Sequence, residues 1–133
     1  MDSTTISVSI TLMKWAQGKY SRGAVKMHTL LDLRGSIPVF IHVTDGKYHD
    51  VKTLDEIEVV QDAIYVMDKA YLDFKRLYDL NRSEAFFVIR AKDNLRFKAV
   101  LSRKIDKPTG LRCDQSIKLL GPKSKKLYPE KLR

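Results

Sequence analysis

Three successive runs of alternating apolar and polar residues open this chain, and they constrain its fold more than any other feature. "STTISVSI" sets Ile6, Val8 and Ile10 between polar neighbours, with β-branched Thr4 and Thr5 beside them; "AVKMHTLLDL" repeats the pattern through Val25, Met27 and Thr29. "RGS" then supplies a turn before "IPVFIHVTD". Successive side chains of a strand point to opposite faces, so a period of two marks a half-buried strand. Three such strands with short connections predict an antiparallel meander.

The pattern changes after "DGKYH". Asp50 is a good helix N-cap, and Val51, Leu54 and Ile57 follow helical spacing, which predicts a helix over roughly 50–60. "AIYVM", residues 63–67, is a short apolar run expected as a buried strand. A second helix is expected over 73–82, with Phe74, Leu77 and Leu80 on one face, and "AFFVIRA" is another apolar strand. The order β-β-β-α-β-α-β is a mixed α/β fold in which the meander is extended by parallel strands with helical crossovers. In that order the first strand is central and lies beside the strand at 63–67.

Beyond Asp93 the pattern loosens. "LRFKAVLSRKI" alternates as a strand, "DKPTG" is a turn and "CDQSIKLLG" another short strand. The closing "PKSKKLYPEKLR" is basic, carries two prolines and has only Leu127 and Tyr128 as anchors, so no core of its own is expected there. The division is a body over 1–93 and a basic, β-rich segment over 94–133.

Charge sharpens that division. Residues 1–93 hold equal numbers of basic and acidic side chains, whereas 94–133 hold 12 basic and 3 acidic ones, so the whole net charge of +9 lies in the last forty residues. Lys and Arg displace counterions from phosphates, which makes such a segment suited to a polyanion. No apolar run reaches the length of a membrane span and no signal core opens the chain, so a cytoplasmic protein is expected. The single Cys113 excludes an internal disulfide and a thiolate zinc site.

Asp68 follows the strand at 63–67 directly. Functional groups in open α/β sheets gather at the carboxyl ends of strands, and the expected strand order brings Asp2 next to Asp68. Two neighbouring carboxylates share a proton or bind a cation, and hard divalent ions such as Mg²⁺ take one or two carboxylates plus water and substrate phosphate. The competing reading of Asp68 is a turn or cap residue.

"DSTTISVSI", "WAQGKYSRGAVKMHTLLDLRG", "IPVFIHVTDGKYHDV", "YVMDKAYLDF" and "AFFVIRAKDN", in this order along nearly the whole chain, resemble the catalytic region of DDE transposases of the insertion-sequence 4 family. The resemblance implies a ribonuclease H-like fold, Asp2 and Asp68 as catalytic residues and ligands of Mg²⁺ or Mn²⁺, and DNA, both transposon ends and target, as partner. It also implies cleavage and strand transfer without a covalent protein–DNA intermediate, a bacterial, nucleoid-associated location, and a homodimer on DNA in the full-length protein. The family's Tyr-x-x-Arg-x-x-x-Glu block has no counterpart, and Glu130 in "YPEKLR" matches the insertion rather than the catalytic helix. The chain is therefore expected to be a truncated internal piece with little or no strand transfer alone.

Lys26, Lys69 and Arg90, in or beside the matched blocks, and Lys123, Lys125 and Lys126 in the basic segment are candidate DNA contacts. His49 with Asp50 in "TDGKYHD" resembles a family block near the catalytic face, and the favoured reading is a loop residue beside the capping Asp50; His28 and His42 are expected as strand residues without shared-metal spacing, and Trp15 as closing the edge of the core. Tyr71 either packs over the crevice or anchors the next helix. The alternative function is a non-catalytic nucleic-acid-binding domain, with the neutral body as scaffold for the basic segment.

Overall fold

The computed structural model describes residues 1–9, 11, 13–18 and 22–133, with Lys107 described by its backbone alone. Ile10 of the first alternating run lies outside the described residues. The strands expected from alternation form: β1 (Asp2–Val8), β2 (Gly23–Asp32) and β3 (Ile37–Asp45) make a three-stranded antiparallel sheet in the order β1-β2-β3. Asp2 stands opposite Thr29, Ser3 opposite His28, and His28 opposite His42. Pro38 is tolerated because β3 is an edge strand of this sheet, where a missing N–H breaks no ladder.

The face that this sheet buries differs from the one its apolar pattern predicts. Ile37, Val39, Ile41 and Val43 are all more than half exposed and Ile6 is half exposed, while His28 and Thr44 are buried. Alternation fixed which side chains share a face; the polar set turned inward, where His28 and Thr44 satisfy each other.

A 3₁₀ helix covers Asp50–Asp55, followed by irregular chain, in place of the helix expected over 50–60. Asp50 is its first residue and not its cap: His49 holds the N-cap position and makes no side-chain cap bond. Asp50 is instead held by Lys26, whose Nζ lies 2.9 Å from Oδ1.

The strand β4 (Ile64–Met67) and the strand β5 (Phe86–Ile89) pair in parallel, joined by helix α1 (Phe74–Arg82). Asp73 caps α1 by accepting from the Arg76 amide at 3.1 Å. β4 is half-buried where full burial was expected. Tyr65 and Met67 face the core, but Ile64 is 67% exposed. The first strand is not central as the expected order has it: β2 lies between β1 and β3, β4 and β5 form a separate sheet, and among the described residues β1 and β4 share no strand ladder. The Met1 amino group donates to the Val66 carbonyl at 2.6 Å, bringing the start of β1 to the end of β4.

The chain continues through β6 (Phe97–Arg103) and β7 (Asp114–Leu119), an antiparallel pair, into helix α2 (Pro122–Leu127). Helix α2 lies in the closing basic stretch, where no core of its own is expected and the pattern marks no helix. Pro122 stands in the first turn, where its missing N–H is unneeded, and Pro129 lies past the end. Tyr128 is 3% exposed and meets the rings of Tyr78 and Phe87 edge-on, at 5.3 and 6.2 Å between centroids. One buried cluster, including Leu54, Tyr65, Met67, Tyr71, Leu77, Leu80, Leu119 and Tyr128, thus runs across position 93. Among the described residues no helix is long and apolar enough to cross a membrane.

Candidate active site

β4 ends at Met67 because the chain turns at Asp68 into a short 3₁₀ helix, Lys69–Tyr71. Asp68 is the N-cap, its backbone extended at φ −76° and ψ 163°, and its Oδ1 accepts from the Lys69 amide at 2.6 Å. The turn-and-cap role weighed from sequence is therefore real. Asp2 does the same at the start of β1, its Oδ1 accepting from the Ser3 amide at 2.8 Å. Both residues are exposed, and each uses one carboxylate oxygen to fix its own backbone.

Tyr71 closes the short 3₁₀ helix that Asp68 caps. It is 1% exposed, and burial pushes its phenol up to about 12; a hydrogen bond with Ser3 pulls it down, and the carboxylates of Asp50, Asp2 and Asp68 each push it up again. Ser3 is near enough to act on the phenol, yet the hydroxyl has no partner in good hydrogen-bond geometry. The structure places Asp50 in the first turn of its 3₁₀ helix, paired with Lys26, and not at the cap position expected of it.

An open cleft of about 470 Å³ borders Asp68 and is lined by Lys69, Ala70, Lys92, Asp93 and Asn94 besides Asp68 itself. Asp2 is not among its lining residues. Lys69 and Lys92 give the cleft two cations beside two carboxylates, a mixture suited to a phosphate held close to a metal. Lys92 and Asn94 lie beyond the strand end of "AFFVIRAKDN" and carried no pattern of their own in the sequence.

The donor chemistry fits a hard divalent ion. Asp2 and Asp68 offer carboxylate oxygens, which such ions prefer, and one or two protein carboxylates with water completing the shell is an ordinary set for Mg²⁺. Among the described residues no group of three or more His, Cys, Asp or Glu stands together to hold a metal.

The remaining expected residues separate clearly. Lys26 donates from Nζ to the Tyr48 carbonyl at 2.7 Å and pairs with Asp50, with its side chain only 14% exposed, so its charge is used inside the protein. Lys69, Arg90, Lys123, Lys125 and Lys126 are exposed. Trp15 is 57% exposed and does not close the core. Glu130 is taken up on α1, where Asn81 Nδ2 donates to it at 3.0 Å. His28 is fully buried, its ring 6.1 Å from that of His42.

Residues 1–131 match the family model described as "Transposase DDE domain". The chain is 30% identical over 105 residues to "Putative transposase y4zB" of Sinorhizobium fredii, covering 79% of this chain and 29% of that protein. It is also 30% identical over 121 residues to "Probable transposase for insertion sequence element IS5377" of Geobacillus stearothermophilus, covering 90% of this chain and 32% of that one. The chain thus spans about a third of the length of these curated relatives. No solved structure matches it.

Proposed function

This chain belongs to the transposase DDE domain family, and from that premise we propose that it is a ribonuclease H-like catalytic portion of an insertion-sequence 4 transposase, in which Asp2 and Asp68 together hold Mg²⁺ or Mn²⁺ for phosphoryl transfer on DNA. The observation that carries this reading is the Met1 to Val66 hydrogen bond, which brings the start of β1, where Asp2 stands, to the end of β4, which Asp68 follows. A bound divalent ion supplies activation of a water or a 3′-hydroxyl and charge neutralisation at the phosphate.

The chain's own residues do the rest. Asp68 is held by its capping bond to the Lys69 amide, which limits where its second oxygen can point. Lys69 and Lys92 bind the backbone phosphate beside the acids, and the exposed lysines of α2 extend the contact along DNA. Two acids define the ion positions less tightly than three, and a misplacement of about 1 Å lowers a rate on the order of a hundredfold. Strand transfer by these 133 residues alone is accordingly slight, and the reading extends to a homodimer acting on DNA near the bacterial nucleoid.

The test is thermal unfolding with and without Mg²⁺ or Mn²⁺. The wild-type chain gains stability with ion concentration by mass action, and Asp2→Asn and Asp68→Asn each lose the gain while keeping the unliganded melting temperature. A wild-type melting temperature indifferent to both ions removes the catalytic reading and leaves a nucleic-acid-binding scaffold.

A further inference from the structure

Among the described residues four buried polar side-chain atoms have no hydrogen-bond partner: His28 Nδ1, Asp50 Oδ1, Thr53 Oγ1 and the Tyr71 hydroxyl. They come from β2 and the two 3₁₀ helices Asp50–Asp55 and Lys69–Tyr71; the helices pack on each other, and β2 reaches the first through the contacts of Lys26 and His28 with Asp50. His28 and Thr53 are fully buried and Tyr71 nearly so. Buried polar groups are nearly always satisfied, so four orphans in one region ask for a shared partner.

Their donor and acceptor roles can be assigned. The Thr44 hydroxyl donates to the Asp45 carbonyl at 3.2 Å, which commits its only proton. His28 Nε2, 3.1 Å from Thr44 Oγ1, must then be the donor of that pair. The neutral ring carries one proton, so Nδ1 is a bare acceptor. Burial lowers the His28 pKa, which keeps the ring neutral near pH 7. Across from Nδ1, at 3.9 Å, stands Asp50 Oδ1, a second acceptor. Lys26 Nζ lies 2.9 Å from that oxygen, an ion-pair contact that leaves Oδ1 without a well-aligned hydrogen bond. The Thr53 and Tyr71 hydroxyls each bring a proton to give.

We propose that one internal water molecule joins these four groups, donating to His28 Nδ1 and Asp50 Oδ1 and accepting from the hydroxyls of Thr53 and Tyr71. Two acceptors facing each other at 3.9 Å cannot bond directly, but both are within reach of a donor at about 2.8 Å from each. Two acceptors and two donors are the complement of one water, and internal waters make two to four such bonds. A bound cation is the weaker occupant, because the Lys26 ammonium already stands beside Asp50. Ser3 competes with the water for the Tyr71 proton. The water is a structural pin: it fastens β2 to both 3₁₀ helices and holds the Tyr71 phenol. It stands independently of the catalytic reading.

The direct test is a high-resolution crystal structure of the full chain, with ordered solvent expected within hydrogen-bond distance of His28 Nδ1 and Asp50 Oδ1. Nitrogen-15 NMR of the wild-type chain is expected to show His28 neutral and protonated on Nε2. A double-mutant cycle of Thr53→Val and Tyr71→Phe supplies the energetic arm: groups sharing one water are coupled, so the unfolding constant of the double variant departs from the product of the singles by about twofold or more. A crystal structure in which these atoms contact each other or protein groups directly, a ring protonated on Nδ1, or a cycle that multiplies without coupling overturns the proposal. The first two measurements use only the wild-type chain and decide the matter where a variant fails to fold.

Discussion

Arg76 grips Asp55 through two parallel hydrogen bonds, Nε to Oδ1 at 2.7 Å and Nη2 to Oδ2 at 2.6 Å. The pair ties the first turn of α1 to the end of the 3₁₀ helix that carries Asp50 and Thr53. The hydrogen bond from Arg76 holds the Asp55 carboxyl below its usual value, against a smaller opposing effect of burial.

Acid sensitivity follows from that pair. A carboxyl whose folded pKa is depressed contributes stability above its unfolded pKa of 3.8, and that contribution is lost as pH falls through the folded value. Asp55 is half exposed, so solvent screening keeps the effect small. Arg76→Met is expected to lower stability by about 0.5–1 kcal/mol at pH 7, and the gap to wild type should close as the solution is taken below pH 3.8. Urea unfolding at several pH values measures it.

Tyr128 decides whether the basic segment belongs to the fold. It is buried against Tyr78 and Phe87 in the same cluster as Leu77 and Leu80. Tyr128→Ala should destabilise the whole chain by about 3–5 kcal/mol, as aromatic truncation in a core does. The transition should remain single. A separate early transition for residues 94–133, seen by calorimetry, contradicts this.

Much of this architecture was legible in the sequence, for identifiable reasons. The period of two in "AVKMHTLLDL" and "IPVFIHVTD" marked β2 and β3 almost to the residue, and Asp73 with the spacing of Phe74, Leu77 and Leu80 marked α1. Period says which side chains share a face but not which face is covered, so Ile41 and Val43 went outward while His28 went in. The span after Asp50 was misread because Val51, Leu54 and Ile57 suit a 3₁₀ turn running into irregular chain as well as an α-helix. Asp68 could be picked out by its place after an apolar run, whereas Lys92 and Asn94 reach the cleft only through tertiary placement. Tyr71 was visible as an aromatic near the acid, but its closeness to Asp50 depends on how two 3₁₀ helices pack.

Gly46 is held to glycine by its neighbour. A Cβ there would stand 2.6 Å from the Cβ of Ala24, while the Gly46 amide donates to the Ala24 carbonyl at 2.9 Å. Gly46→Ala is expected to destabilise the chain by about 1–3 kcal/mol through overpacking. Adding Ala24→Gly should recover part of the loss by removing the clashing methyl. Denaturant midpoints of the two variants test it.

Lysines of equal charge should behave differently toward DNA. Replacing Lys123, Lys125 and Lys126 with alanine should flatten the plot of log affinity against log salt by about 2–3, near 0.9 for each phosphate contact removed. Lys26→Met should leave that slope alone and instead lower the melting temperature, since its ammonium serves Tyr48 and Asp50. Fluorescence anisotropy over a salt series separates the two outcomes.

The hydrogen bond from Met1 to Val66 is made by a charged amine whose pKa burial has lowered, so the ammonium sits in a place that disfavours its charge. Fusing a tag or any further residues ahead of Met1 turns that amine into an ordinary peptide N–H, which can make the same bond with no charge to strip of water. A lengthened chain should therefore dock β1 against β4 at least as firmly, and its stability should cease to vary across the pH range where a free α-amino group titrates.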